Sequence, residues 1–137
     1  MTVTLDDIRA AASRIAGHVV QTPLVEDTAL SARLGHPVWL KCEYRQTTGA
    51  FKLRGAVNAI RSLPGDVRGV VTASTGNHGR AVAHAAGALG VPATVCLSRL
   101  VPANKVRAIH DLGATVRIVG NSQDEAMAEV ARAVSEE

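Results

Sequence analysis

Lys52 stands in the run Thr-Gly-Ala-Phe-Lys-Leu-Arg-Gly, from Thr48 to Gly55. Phe51 and Leu53 give its amine apolar neighbours on both sides. Desolvation of an ammonium favours the neutral, nucleophilic amine, and such an amine forms a Schiff base with an aldehyde. The same residue types also suit a lysine that lays its stem along apolar surface at the start of an amphipathic helix. The run alone leaves both readings open.

A second group of reactive residue types lies in Val71-Thr-Ala-Ser-Thr-Gly-Asn-His-Gly79. Ser74, Thr75, Asn77 and His78 bring short polar groups to one place, and Gly76 and Gly79 let the backbone approach a ligand closely. The run joins an apolar strand to a helix, and the carboxyl end of a strand in an open α/β sheet is where ligands bind. The helix N-terminus offers free N–H groups and a positive dipole end, suited to a carboxylate or phosphate. Ser74 or Thr75 as a helix cap explains the hydroxyls equally well, but not the Asn and His after the glycine. The run has neither the G-x-G-x-x-G register of a dinucleotide fingerprint nor the Gly-Lys-Ser/Thr of a P-loop. His18, His36, His84 and His110 have no acid or cysteine at metal-ligand spacing, and no metal is expected.

The elements that must hold these residues follow from the apolar pattern. Leu5, Ile8, Ala12 and Ile15 predict a helix over 5–16 with Asp6 and Asp7 in its first turn and Gly17 as its stop. Asp6-Asp7 and Glu136-Glu137 read as solvated terminal charges. Thr22-Pro23-Leu24 is extended, 28–34 is a short helix ended by Gly35, and Val38-Trp39-Leu40 is a short strand. A helix from Phe51 to Leu63 stops at Pro64-Gly65. From residue 69 strands and helices alternate. The predicted strands are the buried Val70–Thr72, then Ala93–Leu97 and Thr115–Val119. The helices are Asn77–Leu89, capped by Gly90, then 103–112 with Pro102 in its first turn and Gly113 at its end. A last helix opens on the Ser122–Glu125 capping box. Strand starts about 22 residues apart are the spacing of βαβ units, so the fold class is α/β, a parallel sheet with helices on both faces and right-handed crossovers.

Composition narrows the function. Trp39, Tyr44 and Phe51 are the whole aromatic inventory, 2% of the chain, so the core is expected from Ala, Val, Leu and Ile, and little is left to stack nucleobases. The net charge of +3 comes from scattered basic residues, which is a solvated surface rather than a nucleic-acid face. Cys42 and Cys96 are expected as reduced, partly buried thiols of a cytoplasmic protein. No apolar run is long enough to span a bilayer.

Taken in order, KCEYRQTTGAFKLRGA (Lys41 to Ala56) and ASTGNHGRAVA (Ala73 to Ala83), with Lys52 and Asn77 25 residues apart, resemble the pyridoxal-phosphate enzymes of the serine/threonine dehydratase type, the tryptophan-synthase-β-like fold type II. Ser98 to Val116 is similar to the family's next strand-helix-strand step. The wording of RQTTG and STGNHGRA is most like the hydroxyectoine-utilisation branch. The resemblance implies that Lys52 holds pyridoxal 5'-phosphate as a Schiff base, that Asn77 hydrogen-bonds its ring hydroxyl and that Phe51 flanks its ring. Ser74, Thr75, Gly76 and His78 would grip the substrate carboxylate. It implies that 1–68 is an incomplete first part of the large domain and that 69–137 is the small domain.

Two departures bear on the reaction. Ala50 stands where the family usually has serine. Thr75 stands where many dehydratases have alanine and serine racemases have a serine acting as a second base, so Thr75 is a candidate catalytic residue. The expected activity is β-elimination from a hydroxy amino acid, such as serine, threonine or a hydroxyectoine-derived compound, to a 2-oxo acid and ammonia. An amino-acid racemase and a non-catalytic binding domain with an anion at the 74–79 turn remain open. The family's Gly-rich phosphate loop and pyridine-nitrogen partner do not occur in these 137 residues. The chain is therefore expected to be the N-terminal portion of a longer enzyme, a homodimer at full length, and to bind cofactor weakly alone.

Overall fold

Thr4 starts the first helix, α1 (Leu5–Ile15). Its hydroxyl accepts the Asp7 N–H while the Asp7 carboxylate accepts the Thr4 N–H, a reciprocal cap. The structure, a computed structural model, describes residues 2–136, so Glu137 and the side chain of Glu136, read as solvated charges, lie outside it. The apolar stripe of α1 meets the core only at its end: Ile15 packs there, whereas Leu5 and Ile8 are exposed. Two short strands, β1 (Leu24–Glu26) and β2 (Trp39–Lys41), pair antiparallel with Leu24 opposite Lys41. Between them runs α2 (Thr28–Leu34), opened by the Asp27 carboxylate on the Leu30 N–H and ended by Gly35 in the left-handed region.

The next helix, α3 (Lys52–Ile60), is shorter than expected, with residues 61 and 62 in a turn rather than in the helix. Ser62 explains part of this, since its hydroxyl donates to the Asn58 carbonyl and competes with the helical ladder. The remaining chain alternates β3 (Val70–Ala73), α4 (Asn77–Ala88), β4 (Ala93–Leu97), α5 (Ala103–His110), β5 (Thr115–Ile118) and α6 (Gln123–Glu136). The three strands form a parallel sheet in the order β3-β4-β5. Edge position leaves β3 half-buried at Val70 to Thr72 rather than buried as expected. Pro102 precedes α5 instead of sitting inside it, and its carbonyl accepts the first helical bonds, from Lys105 and Val106.

Alternation along β4 divides the core. Val95 and Leu97 face Leu53, Val57, Ala85 and Ile109 of α3, α4 and α5. Cys96 points to the opposite face, against Ala73 and Ala126 of α6. Helices therefore cover both faces, and neither buried cluster contains an aromatic ring. Cys42 and Cys96 are free thiols, both buried rather than partly so. α6 is tied to β5 through Glu129, which accepts from Arg132 and from Arg117. These contacts, Arg132 first, hold its carboxyl below the usual carboxylate range. The capping box at α6 forms by half. Ser122 Oγ accepts the Glu125 N–H, but the Glu125 carboxylate reaches the Asn121 N–H, one residue early.

Leu97 is fully buried and Leu100, three residues on, is 74% exposed. Leu97→Ala should lower unfolding free energy by about 2–5 kcal/mol, and Leu100→Ala by less than about 0.5 kcal/mol, as read by urea denaturation. Equal losses would contradict this placement of the core.

Candidate active site

The segment leading to Lys52 is held by side-chain bonds to distant backbone. Gln46 is buried, and its amide pairs with Val20 in both directions: Val20 N–H donates to Oε1 at 2.8 Å and Nε2 donates to the Val20 carbonyl at 3.0 Å. Gly49 then turns the chain with φ +75°, in the region where a side chain is disfavoured, and its N–H donates to the Gln46 carbonyl at 2.7 Å. α3 starts three residues later. From its first turn, Arg54 reaches back to Glu43 with Nε on Oε2 at 2.9 Å and Nη2 on Oε1 at 2.7 Å. Nη2 also donates to the Val20 carbonyl at 3.1 Å and to Thr22 Oγ1 at 3.3 Å, and the Thr22 hydroxyl donates to Glu43. The Arg54 guanidinium, helped by Thr22 and Lys41 against the cost of burial, holds the Glu43 carboxyl down from the ordinary 4.5 to about 2.

Lys52 itself is exposed. Of the two open readings, the structure shows the lysine at a helix start and not the apolar bracket: Leu53 turns into the core at 0% exposure, and Phe51 stays 58% exposed, so neither buries the amine. The reason is helical geometry, because consecutive residues at the start of a helix point about 100° apart. Nζ lies 5.1 Å from the centroid of the Phe51 ring, within cation–π range.

The second group forms the turn from β3 into α4. The N-cap position is Gly76, with no side-chain cap bond, so the alternative that Ser74 or Thr75 caps the helix is not what the structure shows. Ser74 Oγ instead accepts the Gly76 N–H within the turn, at 3.4 Å. Helical geometry leaves the N–H groups of Asn77, His78 and Gly79 without intrahelical acceptors. Asn77 and His78 are exposed, while Ser74, Thr75 and Gly76 are half-buried. Gly79 is required by space: a Cβ there would lie 2.4 Å from the Ser74 carbonyl oxygen. The turn folds down onto α4 through the volume a side chain would take.

Lys52 and His78, one residue from each group, line a cavity of about 490 Å³ between α3 and the β3–α4 unit. Phe51, Lys52 and Arg54 line it from the start of α3, Thr72 from β3 and His78 from the first turn of α4, and most of its other walls are apolar. Ser74, Thr75, Gly76 and Asn77 lie outside this lining. The volume falls in the range of small-molecule sites, roughly 300–1,000 Å³. The residues present fit an aldehyde-bearing aromatic phosphate in part. They provide a solvent-facing primary amine, an aromatic face beside it and an open helix N-terminus. Among the described residues no Gly-rich loop is present to grip the phosphate.

The roles of Glu43, Arg54, Thr22 and Gln46 are not apparent from residue types alone. Glu43 and Arg54 stand 11 positions apart across a loop, outside any helical or strand period, so no local pattern pairs them.

Comparison with known proteins gives the following. The profile of the family described as "Pyridoxal-phosphate dependent enzyme" matches residues 15–137. A Sinorhizobium fredii protein named as a threonine dehydratase is 56% identical, covering 98% of this chain and 41% of the relative. The L-threonine ammonia-lyase of Geobacter sulfurreducens is 44% identical over 94% of this chain and 33% of its own length. The solved structure of maize serine racemase superposes with a TM-score of 0.92 at 38% identity, covering 99% of this chain and 42% of that one. The chain thus spans less than half the length of each.

Two outcomes follow from this geometry. Because the folded Glu43 carboxyl titrates below its unfolded value, the clamp stabilises the fold above pH 4.5 and loses that contribution as pH falls from 4.5 toward 2. Denaturation between pH 5 and about 2.5 should show a steeper loss of stability in the wild type than in Glu43→Gln; parallel curves would contradict it. Gly79→Ala should cost on the order of 1–3 kcal/mol by overpacking. The control Gly65→Ala, with nothing within 4 Å of the added methyl, should leave the urea midpoint close to wild type.

Proposed function

The chain belongs to the pyridoxal-phosphate dependent enzyme family, and on that premise we propose that it carries the lysine-bearing part of an amino-acid dehydratase. The observation behind this reading is that Lys52 and His78, from the first turn of α4, line one cavity. Lys52 Nζ would hold the cofactor at its aldehyde and would be the group that takes up the proton from the substrate Cα. Phe51 would flank the cofactor ring, and the Asn77 side chain would donate to its ring hydroxyl. Ser74, Thr75, His78 and the open N–H groups of the turn hold the substrate carboxylate, with Gly76 leaving the backbone accessible. When bound, pyridoxal phosphate supplies the electron sink that stabilises negative charge at Cα. The net reaction takes a β-hydroxy amino acid to a 2-oxo acid and ammonia.

The substrate class is serine, threonine or a related hydroxy amino acid. The wording of RQTTG and STGNHGRA supports a hydroxyectoine-derived compound among these. Residues 1–68 are assigned to the large domain and 69–137 to the small one, with a homodimer as the assembly.

Racemisation is the second reading. It is favoured by the likeness to serine racemases, including that of Oryza sativa at 42% identity over 97% of this chain, and by the hydroxyl at Thr75. In that reading Thr75 acts as the base on the opposite face of the substrate.

The test is turnover of L-serine and L-threonine by the intact protein with added pyridoxal phosphate. Ammonia release in step with 2-oxo acid is expected, and Lys52→Ala should lower it by about a thousandfold or more, with Lys105→Ala unaffected. Deuterium exchange at Cα with D-serine formation and no ammonia would select the racemase. Failure of Lys52 to take up the cofactor, measured by borohydride trapping and peptide mass, would sink both.

A further inference from the structure

The Lys52 side chain reaches the ring of Phe51. Among the described residues its Nζ takes part in no hydrogen bond or ion pair, and the contact with the Phe51 ring is to its immediate neighbour in the chain. Its position is therefore set by its backbone. That backbone is the first residue of α3, which has no side-chain cap at Phe51. A helix start without a cap frays readily, so something else must hold it.

We propose that Glu43 and Arg54 are positioning residues that fix where the Lys52 amine is presented. Arg54 lies in the same helical turn as Lys52 and also lines the cavity. Its two bonds to Glu43 close the chain from 43 to 54 into a loop whose ends cannot separate without breaking both. Its further bonds to Val20 and Thr22 attach that loop to the segment before β1. Lys41 adds a third tie by donating to the Thr22 carbonyl. The Glu43 and Arg54 side chains are 19% and 29% exposed, so water competes weakly for them, and the planar fork of arginine gives the pair a fixed orientation. A lysine at position 54 keeps the charge but loses the fork.

This inference rests on the reading of Lys52 as the cofactor lysine, and the experiment separates the two. The intact protein is incubated with pyridoxal phosphate and reduced with borohydride. The rate of labelling at Lys52 is then read by peptide mass, alongside the folded fraction by circular dichroism. Arg54→Lys and Glu43→Gln should each slow Lys52 labelling by about tenfold or more, as expected when a reacting group is misplaced, while the folded fraction stays near wild type. Should Arg54→Lys fail to fold, Glu43→Gln, which keeps the volume and one acceptor, carries the same expectation. The exchanged pair Glu43→Arg with Arg54→Glu should recover part of the rate. Labelling that falls only in step with the folded fraction, or that is unchanged in folded variants, overturns the proposal. A wild type that does not label at Lys52 instead overturns the assignment of that lysine.

Discussion

Arg54 joins Glu43 by two parallel bonds at 2.9 and 2.7 Å, and a third segment, Val20 to Thr22, closes on the same guanidinium. Much of the N-terminal half depends on this junction because it has little core of its own. α1, α2, β1 and β2 contribute no fully buried side chain. What is buried between residues 20 and 50 is largely polar: Thr22, Gln46 and Thr48, with Cys42 and Ala50 beside them. Hydrophobic burial is non-directional, whereas hydrogen bonds fix register. A segment held this way has a defined geometry for its stability, which suits a loop that must deliver one amine to one place.

The other half reaches precision by close packing. α4 is rich in alanine, and Ala81, Ala85 and Ala86 are fully buried, so α3 can approach it without large side chains between them. Gly79 extends the same economy into the turn, where the Ser74 carbonyl occupies the space of a missing Cβ. The starts of α3 and α4 thus come to a common cavity for different reasons, one polar and one steric. A change in either half would move one wall of the site relative to the other.

The parts of this arrangement that were legible in sequence are those with a local signature. β3, β4 and β5 are short β-branched or apolar runs at even spacing, and their helices begin and end on glycine or proline, so the parallel sheet could be read within a residue or two. β1 and β2 were legible as extended segments, but their antiparallel pairing depends on contacts 15 or so residues apart, across α2. The exposure of Lys52 is not decided by its flanking residue types, which do not give direction; at a helix start, Leu53 can be buried while Lys52 faces solvent. The Glu43–Arg54 pair had no period to reveal it. Its two members lie within the stretch Lys41 to Ala56 that also holds Lys52, yet only the folded loop brings them together.

The exposed amine also changes the physical basis on which Lys52 is distinguished from the other lysines. The chain has three: Lys41, Lys52 and Lys105. Burial does not separate them, since all three are exposed residues. Place does. Lys41 Nζ is committed to the Thr22 carbonyl, and Lys105 lies in the first turn of α5, outside the lining of the Lys52 cavity. Lys52 is the lysine in the lining of the cavity that His78 also lines, beside the start of α4, where open N–H groups favour an anionic ligand. Selectivity by location needs no unusual property of the amine in the free chain. It does need the location to be held still, and next to Lys52, whose Nζ makes no polar bond among the described residues, Arg54 is anchored to Val20, Thr22 and Glu43.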